Sequence, residues 1–274
     1  KGQYTIPSDT VCYPAKLVHG HIEYLLEKDV DFIFYPCLTY NIDEHISDNH
    51  YNCPVVAYYP QVIEANVARV NDSNFKYGFY GIHNKKYMKK QLIKDFGKSL
   101  HLSHKIIGEA LDKAYAAQKE YRDKQKNFAK QAIEYARIHD LQIIILAGRP
   151  YHVDPEINHG IDRLIQGFNT VVISEDGLEY IYDDTETGVL NQWTYHARLY
   201  NAAKYVAQNK DMSLVQLVSF GCGLDAITAD EVRELLEEQG KIYTQIKIDE
   251  ISNLGTVKIR LRSLFATLKQ RRNQ

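Results

Sequence analysis

From Leu141 to the C-terminus, short β-branched runs alternate with helical stretches four times, and this alternation constrains the fold more than any other feature of the chain. Strands are expected at 142–147 (QIIILA), 170–174 (TVVIS), 213–219 (SLVQLVS) and 242–248 (IYTQIKI). Helices are expected at about 157–167, 193–208, 228–239 and 255–270. Trp193, Ala197, Tyr200, Ala203 and Ala207 fall on one helical face. Thr228-Ala-Asp-Glu231 matches a capping box and places a helix start there. Such alternation reads as a doubly wound parallel sheet with helices on both faces.

Upstream the pattern is less regular. Ser8-Asp9-Thr10 resembles a helix entry, and Pro14 is tolerated in a first turn. Leu17, Ile22, Leu25 and Leu26 then describe an amphipathic helix to about Lys28. Residues 30–35 (VDFIFY) and 54–59 (PVVAYY) read as buried strands, each followed by a proline. Residues 75–138 lack strand signals, and Ile107, Leu111, Ala114, Ala117, Tyr121, Phe128, Ala132 and Ala136 form one apolar stripe of a long helix, or of two. The expected fold class is therefore α/β: two Rossmann-like parallel-sheet domains joined by a long helical segment. Residues 1–75 would be a partial Rossmann-like domain, 76–138 the helical connector and 139–274 the second Rossmann-like domain.

Charge narrows the function. With 33 basic against 35 acidic residues the chain has no overall basic field, so no nucleic-acid partner is expected. The longest apolar runs are about five residues, against the roughly 18 of a spanning helix, so no membrane association is expected. The sequence begins Lys-Gly-Gln-Tyr without Met and without a leader's apolar core. It reads as a cytoplasmic chain, and either as a piece of a longer polypeptide or as a trimmed form.

Open parallel sheets bind ligands beyond the carboxyl ends of their strands. There the second domain places Gly148-Arg149-Pro150-Tyr151-His152, Glu175-Asp176-Gly177, Phe220-Gly221-Cys222-Gly223 and Asp249-Glu250. Cys222 between two glycines is uncrowded. Cys37 follows the strand at 30–35, and Cys12 opens a helix, where the positive end favours a thiolate. Cys53, just before 54–59, is expected near the opposite edge and reads as a buried thiol. No two cysteines form a CxxC pair, so a zinc ribbon is not indicated, although zinc held by all four is an open alternative. Cys12, Lys16 and His19 share a helix face, which could set a cation and a proton donor beside a thiolate; core packing is the blander reading of His19. Arg149 could hold an anion or pair with a carboxylate. His152 and His159 flank Asp154, Glu156 and Asn158, a grouping fit for metal or proton transfer, or simply for a polar loop with Asn158 capping a helix. Cys222 could also act as a nucleophile with His152 or His159 as base. The C-terminal cations at 258–272 read as a solvated helix face.

Longer phrases carry a resemblance: SDTVCYPAKLVHGHI, FIFYPCL, YNCPVV, GRPYHVDPEINHGI, LVSFGCGLDA and KIDEISNLGTVKIRLRSL. Together they resemble the carboxyl-terminal region of large activase-like proteins related to the 2-hydroxyglutaryl-CoA dehydratase and benzoyl-CoA reductase system, over nearly the whole chain. The resemblance implies a [4Fe-4S] cluster in an interdomain cleft, lost easily in air. Cys12, Cys37 and Cys222 match its three ligands, and Cys53, with no counterpart in the dehydratases, is available as a fourth. It implies a dehydratase- or reductase-like electron-transfer component of anaerobic metabolism. Its partners would be an ATP-hydrolysing activase domain or protein and an acyl-CoA or other small-molecule acceptor. Lys16, His19, Arg149 and His152 are then the candidate catalytic groups. No P-loop or other nucleotide motif is present, so ATP hydrolysis belongs to the partner. The alternative is a non-enzymatic interaction module of a larger activase, with zinc-bound or buried cysteines.

Overall fold

The computed structural model describes residues 1–28, 30–181, 187–219, 221–248 and 253–272. It is a mixed α/β structure that divides into two compact units, residues 1–121 with 192–194, and residues 122–191 with 195–274. Among the described residues no helix is long and apolar enough to cross a membrane.

In the first unit β1 (Ile33–Phe34) and β2 (Phe75–Lys76) pair in parallel, and a bridge between Cys37 and Phe79 prolongs the ladder. Helices α1 (Tyr13–Leu26) and α2 (Pro54–Asn66) pack on one face of this short sheet. Ala15, Ile22, Ile33, Tyr59, Ile63 and Phe75 form that core. Helix α3 (Lys85–Leu92), a π-type turn (Ile93–Gly97) and the long α4 (His104–Ile138) follow.

The stretch 54–59, expected as a strand, is the start of α2. A short apolar run fits a strand and a buried helix equally, and here the helical period wins, burying Ala57, Pro60 and Ile63. Pro54 sits in the first turn, where its missing N–H costs nothing. Pro60, inside the helix, cannot donate to the Val56 carbonyl, which instead accepts the Leu38 amide at 3.3 Å. That bond ties the residue after Cys37 to α2.

The second unit holds a four-stranded parallel sheet made of β3 (Gln142–Ala147), β4 (Thr170–Ser174), β5 (Met212–Ser219) and β6 (Tyr243–Ile248), in the order β4-β3-β5-β6. Its helices are α5 (Ile161–Gln166), α6 (Thr194–Gln208), α7 (Gly223–Glu237) and α8 (Leu254–Arg272). One face packs against α5 and α8 through Ile161, Ile165, Val257 and Leu261. The other packs against α6, α7 and the end of α4 through Leu199, Ala203, Val232, Leu236 and Ala136. Strand β5 is buried along its whole length, as expected for a central parallel strand.

Two local expectations fail here. Thr228 does not open a helix; it lies inside α7, and its hydroxyl bonds the Leu224 carbonyl. The helix starts five residues earlier, because Gly221, at φ 76°, turns the chain and Cys222 takes the N-cap position. Helix α5 starts at Ile161 after Gly160, and Asn158 accepts the Gly160 amide at 2.8 Å rather than capping the helix. Asp249-Glu250 and Phe220 lie outside the described residues.

Candidate functional site

The helix after β3 and the helix after β5 lie on opposite faces of the second sheet. The loops leaving these adjacent strands therefore part, and open a crevice at their carboxyl ends. Into it the β3 loop brings Arg149, Tyr151 and His152, and the β5 loop brings Ser219, Cys222 and Asp225.

The hydrogen bonds determine how each group is held. The Arg149 amide donates to His152 Nδ1 at 2.9 Å, so the proton of the neutral ring sits on Nε2. Nε2 then donates to Ser219 Oγ at 3.2 Å. Burial, and after it the Arg149 charge, pushes the imidazole down to about 3. Gly148 makes room for this ring, since a Cβ there would stand 2.4 Å from Nδ1. With both nitrogens committed, His152 is a positioned neutral donor and no base for Cys222. Tyr151 Oη meets Ser219 Oγ at 2.7 Å. Burial raises the Tyr151 phenol, so it stays protonated.

Arg149 and Asp225 form a buried ion pair, with side chains 6% and 4% exposed. Nε and Nη2 both donate to Asp225 Oδ1, at 3.0 and 2.8 Å, while Oδ2 accepts the Ser219 amide at 2.9 Å. Nη2 also reaches Cys222 Sγ at 3.0 Å. Burial alone would lower the guanidinium, but Asp225 and then Cys222 outweigh it and keep Arg149 cationic. The arrangement supplies a positive N–H donor to a sulfur at a helix start, which is what a thiolate acting as ligand or nucleophile requires. Beside it lies an open cleft of about 340 Å³ lined by Ser219, Cys222, Asp225, Arg233, Gln245 and Lys247.

Glu175 was legible in the sequence only as part of the loop after β4 and His196 was not singled out, yet both are buried near this loop. Desolvation and then Asp176 push the Glu175 carboxyl up to about 8, against a bond from the Gly148 amide. Burial and Arg149 push His196 down to about 2. Asp225 did carry a signal: an acid three residues after an N-cap is a first-turn acid. By contrast, the stretch 154–160 spends its polar side chains on its own turns, with Asp154 Oδ1 accepting the Glu156 amide at 2.9 Å. His159 lies there, half-buried with a φ of 53°.

In the first unit Cys12 and Cys53 are the N-cap residues of α1 and α2. Cys53 thus stands at the carboxyl end of β1, on the same edge as Cys37, and not at the opposite edge as expected. Cys37 is fully buried, which pushes its thiol up to about 11. Two phenols, the half-buried Tyr35 and the buried Tyr59, link the three cysteines electrostatically. Tyr35 is raised to about 12 by burial, then by Tyr59, Cys37 and Cys53, and Tyr59 to about 12 by burial and then Cys12. His19 belongs to the core: its Nδ1 meets Thr5 Oγ1 at 2.8 Å and its Nε2 meets Tyr59 Oη at 2.9 Å. Lys16 is half-buried one turn into α1.

Four thiols are a donor set suited to iron. Among the described residues, however, no group of three or more His, Cys, Asp or Glu side chains is gathered so as to hold a metal ion.

No curated protein matches the chain in sequence. A family model described as the CoA enzyme activase uncharacterised domain matches residues 1–178, which run from the N-terminus through β3 and β4. Since that match covers most of the chain, the protein belongs to the CoA enzyme activase domain family.

Proposed function

We propose that the chain is an iron–sulfur redox module of a CoA-enzyme activation system, with Cys12, Cys37 and Cys222 as thiolate ligands and Cys53 as the further donor. The observation that carries this reading is the placement of the cysteines. Three are N-cap residues of helices and the fourth follows β1 directly, so each stands at a strand's carboxyl end or a helix's positive end. The Arg149 contact at the Cys222 sulfur compensates a thiolate's charge. A bound [4Fe-4S] cluster would supply one-electron chemistry. Arg149 and Asp225 would orient Cys222, and Tyr151 and His152 would keep Ser219 in place. The electron donor would be an ATP-hydrolysing activator, and the acceptor an acyl thioester.

The experiment is anaerobic purification and reconstitution with iron and sulfide. One cluster gives about four irons, a brown colour and a reducible centre. The Cys222→Ser protein should lose iron while keeping its circular dichroism. A colourless, iron-free product after reconstitution overturns the proposal. A second reading, an interaction module with buried or zinc-bound cysteines, is favoured by the burial and raised pKa of Cys37. Metal analysis separates the two, through zinc or no metal in place of iron.

A further inference from the structure

In the short sheet of the first unit α1 and α2 cover one face. Ile33 and Phe75 point into the core with α1 and α2, while Phe34 projects from the other side. Parallel sheets are normally covered on both faces. Here the second side is roofed by the π-type turn and the first turns of α4, and the cover is incomplete. Phe96 of that turn stacks on Phe32 at 5.8 Å and meets Phe34 edge-on at 5.0 Å. What remains open is a groove of about 420 Å³, lined among others by Phe32, Phe34, Phe96, Leu100, Ile106 and Leu111. Its lining is almost wholly apolar, and Leu100 and Ile106 are 43% and 51% exposed. π-type turns are rare and are frequent at functional sites.

The surroundings of the groove are as distinctive as its floor. Residues 85–113, which build most of its walls, carry eight lysines against three carboxylates in a chain of net charge −2. All three acids are engaged: Asp95 accepts the Tyr80 hydroxyl at 2.6 Å, Asp112 pairs with Lys85, and Glu109 lies 3.9 Å from Lys105. Lys90, Lys94 and Lys98 are exposed and make no ion pair among the described residues. On α4, Ile106, Ala110 and Ala114 present one exposed row. That row is about 12 Å long, or two helical turns.

We infer that this groove receives an amphipathic helix of a partner polypeptide, with an apolar stripe seated on Phe34, Phe96, Leu100 and Ile106 and acidic residues on its flanks facing the lysines. The π-type turn and α4 leave this sheet face partly open, and a concave apolar trough suits a helix better than a flat lipid surface does. The lysines select acidic partners and hasten encounter. This inference is independent of the cluster proposed above.

The probe is a labelled synthetic helix of about four turns, with Leu at i, i+3, i+4 and i+7 and Glu on both flanks. Its control carries Lys in place of Glu. Fluorescence anisotropy with the full chain should show saturable binding of the Glu helix, weakened by raised salt, and at least tenfold weaker binding of the Lys helix. Ile106→Asp should weaken binding tenfold or more. The paired change Lys94→Glu with Lys98→Glu should weaken it severalfold. Both sites are on the surface, so circular dichroism should be unchanged. The inference is overturned if neither helix saturates, if the two bind alike, or if Ile106→Asp leaves binding intact. Binding to phosphatidylglycerol vesicles that the Glu helix does not displace would make the face a lipid surface instead, and would overturn it equally.

Discussion

Replacing Arg149 by Met should loosen the second unit at the crevice, and the size of the effect follows from its hydrogen bonds. The substitution removes both donors to Asp225 Oδ1 and the donor to Cys222, and leaves the carboxylate with the Ser219 amide alone. Breaking one side of a buried ion pair costs about 3–5 kcal/mol. Asp225 lies in the first turn of α7, where the helix dipole returns up to about 1 kcal/mol to an anion. The net loss expected is ~2–4 kcal/mol. Asp225→Leu lacks that relief and also strands the Ser219 amide, so its cost should be larger. The double variant should be less destabilised than the two losses added together, by about 3 kcal/mol, because it leaves no lone charge. The single tryptophan, Trp193, is in the first unit, so hydrogen exchange is the suitable readout. Amides of β3 and β5 should exchange roughly thirty to several hundred times faster in Arg149→Met, at a factor of ten per 1.4 kcal/mol. Acceleration below about threefold, or strict additivity in the double variant, would refute the idea that this pair holds the two loops together.

Three further outcomes follow from the same site. The folded pKa of His152, about 3, lies below the ordinary 6.5, so the stability of the neutral ring is complete above pH 6.5 and is lost as pH falls toward 3. His152→Asn should flatten that acid limb, by up to about 1.4 kcal/mol per pH unit in urea melts. Glu175 has the opposite sign: its folded value of about 8 exceeds the ordinary 4.5, so stability present below 4.5 declines as pH rises toward 8. Glu175→Gln should therefore raise the melting temperature at pH 8 more than at pH 5. Gly148→Ala would drive a methyl into the His152 ring, and should cost about 1–3 kcal/mol, measured by thermal unfolding.

The second sheet was legible because fully buried parallel strands are written as continuous β-branched runs. Residues 142–147 and 170–174 appear as strands with those bounds. The same signal misled at 54–59, where Val55 and Val56 belong to a helix whose buried face happens to begin with an apolar run. Arg149, His152 and Cys222 were legible as residues at strand ends, and the fold brings all three to one crevice. Their partners were not, because Arg149 and Asp225 are 76 residues apart and meet only through the strand order. For the cysteines of the first unit, sequence placed Cys12 and Cys37 on the functional edge but set Cys53 against it, an error inherited from the misread strand.

Strand order also bears on how this family's boundary should be understood. The matched region stops at Leu178, after β4, yet the strand that lies beside β3 on its other side is β5, which begins 34 residues later. A polypeptide cut at Leu178 would keep two of the four strands of the second sheet, with β3 left bare on the flank that β5 occupies and without α7 and α8 to shelter its faces. The limit of shared sequence is therefore no limit of independent folding, and expression of residues 1–178 alone should yield aggregated or proteolysed material.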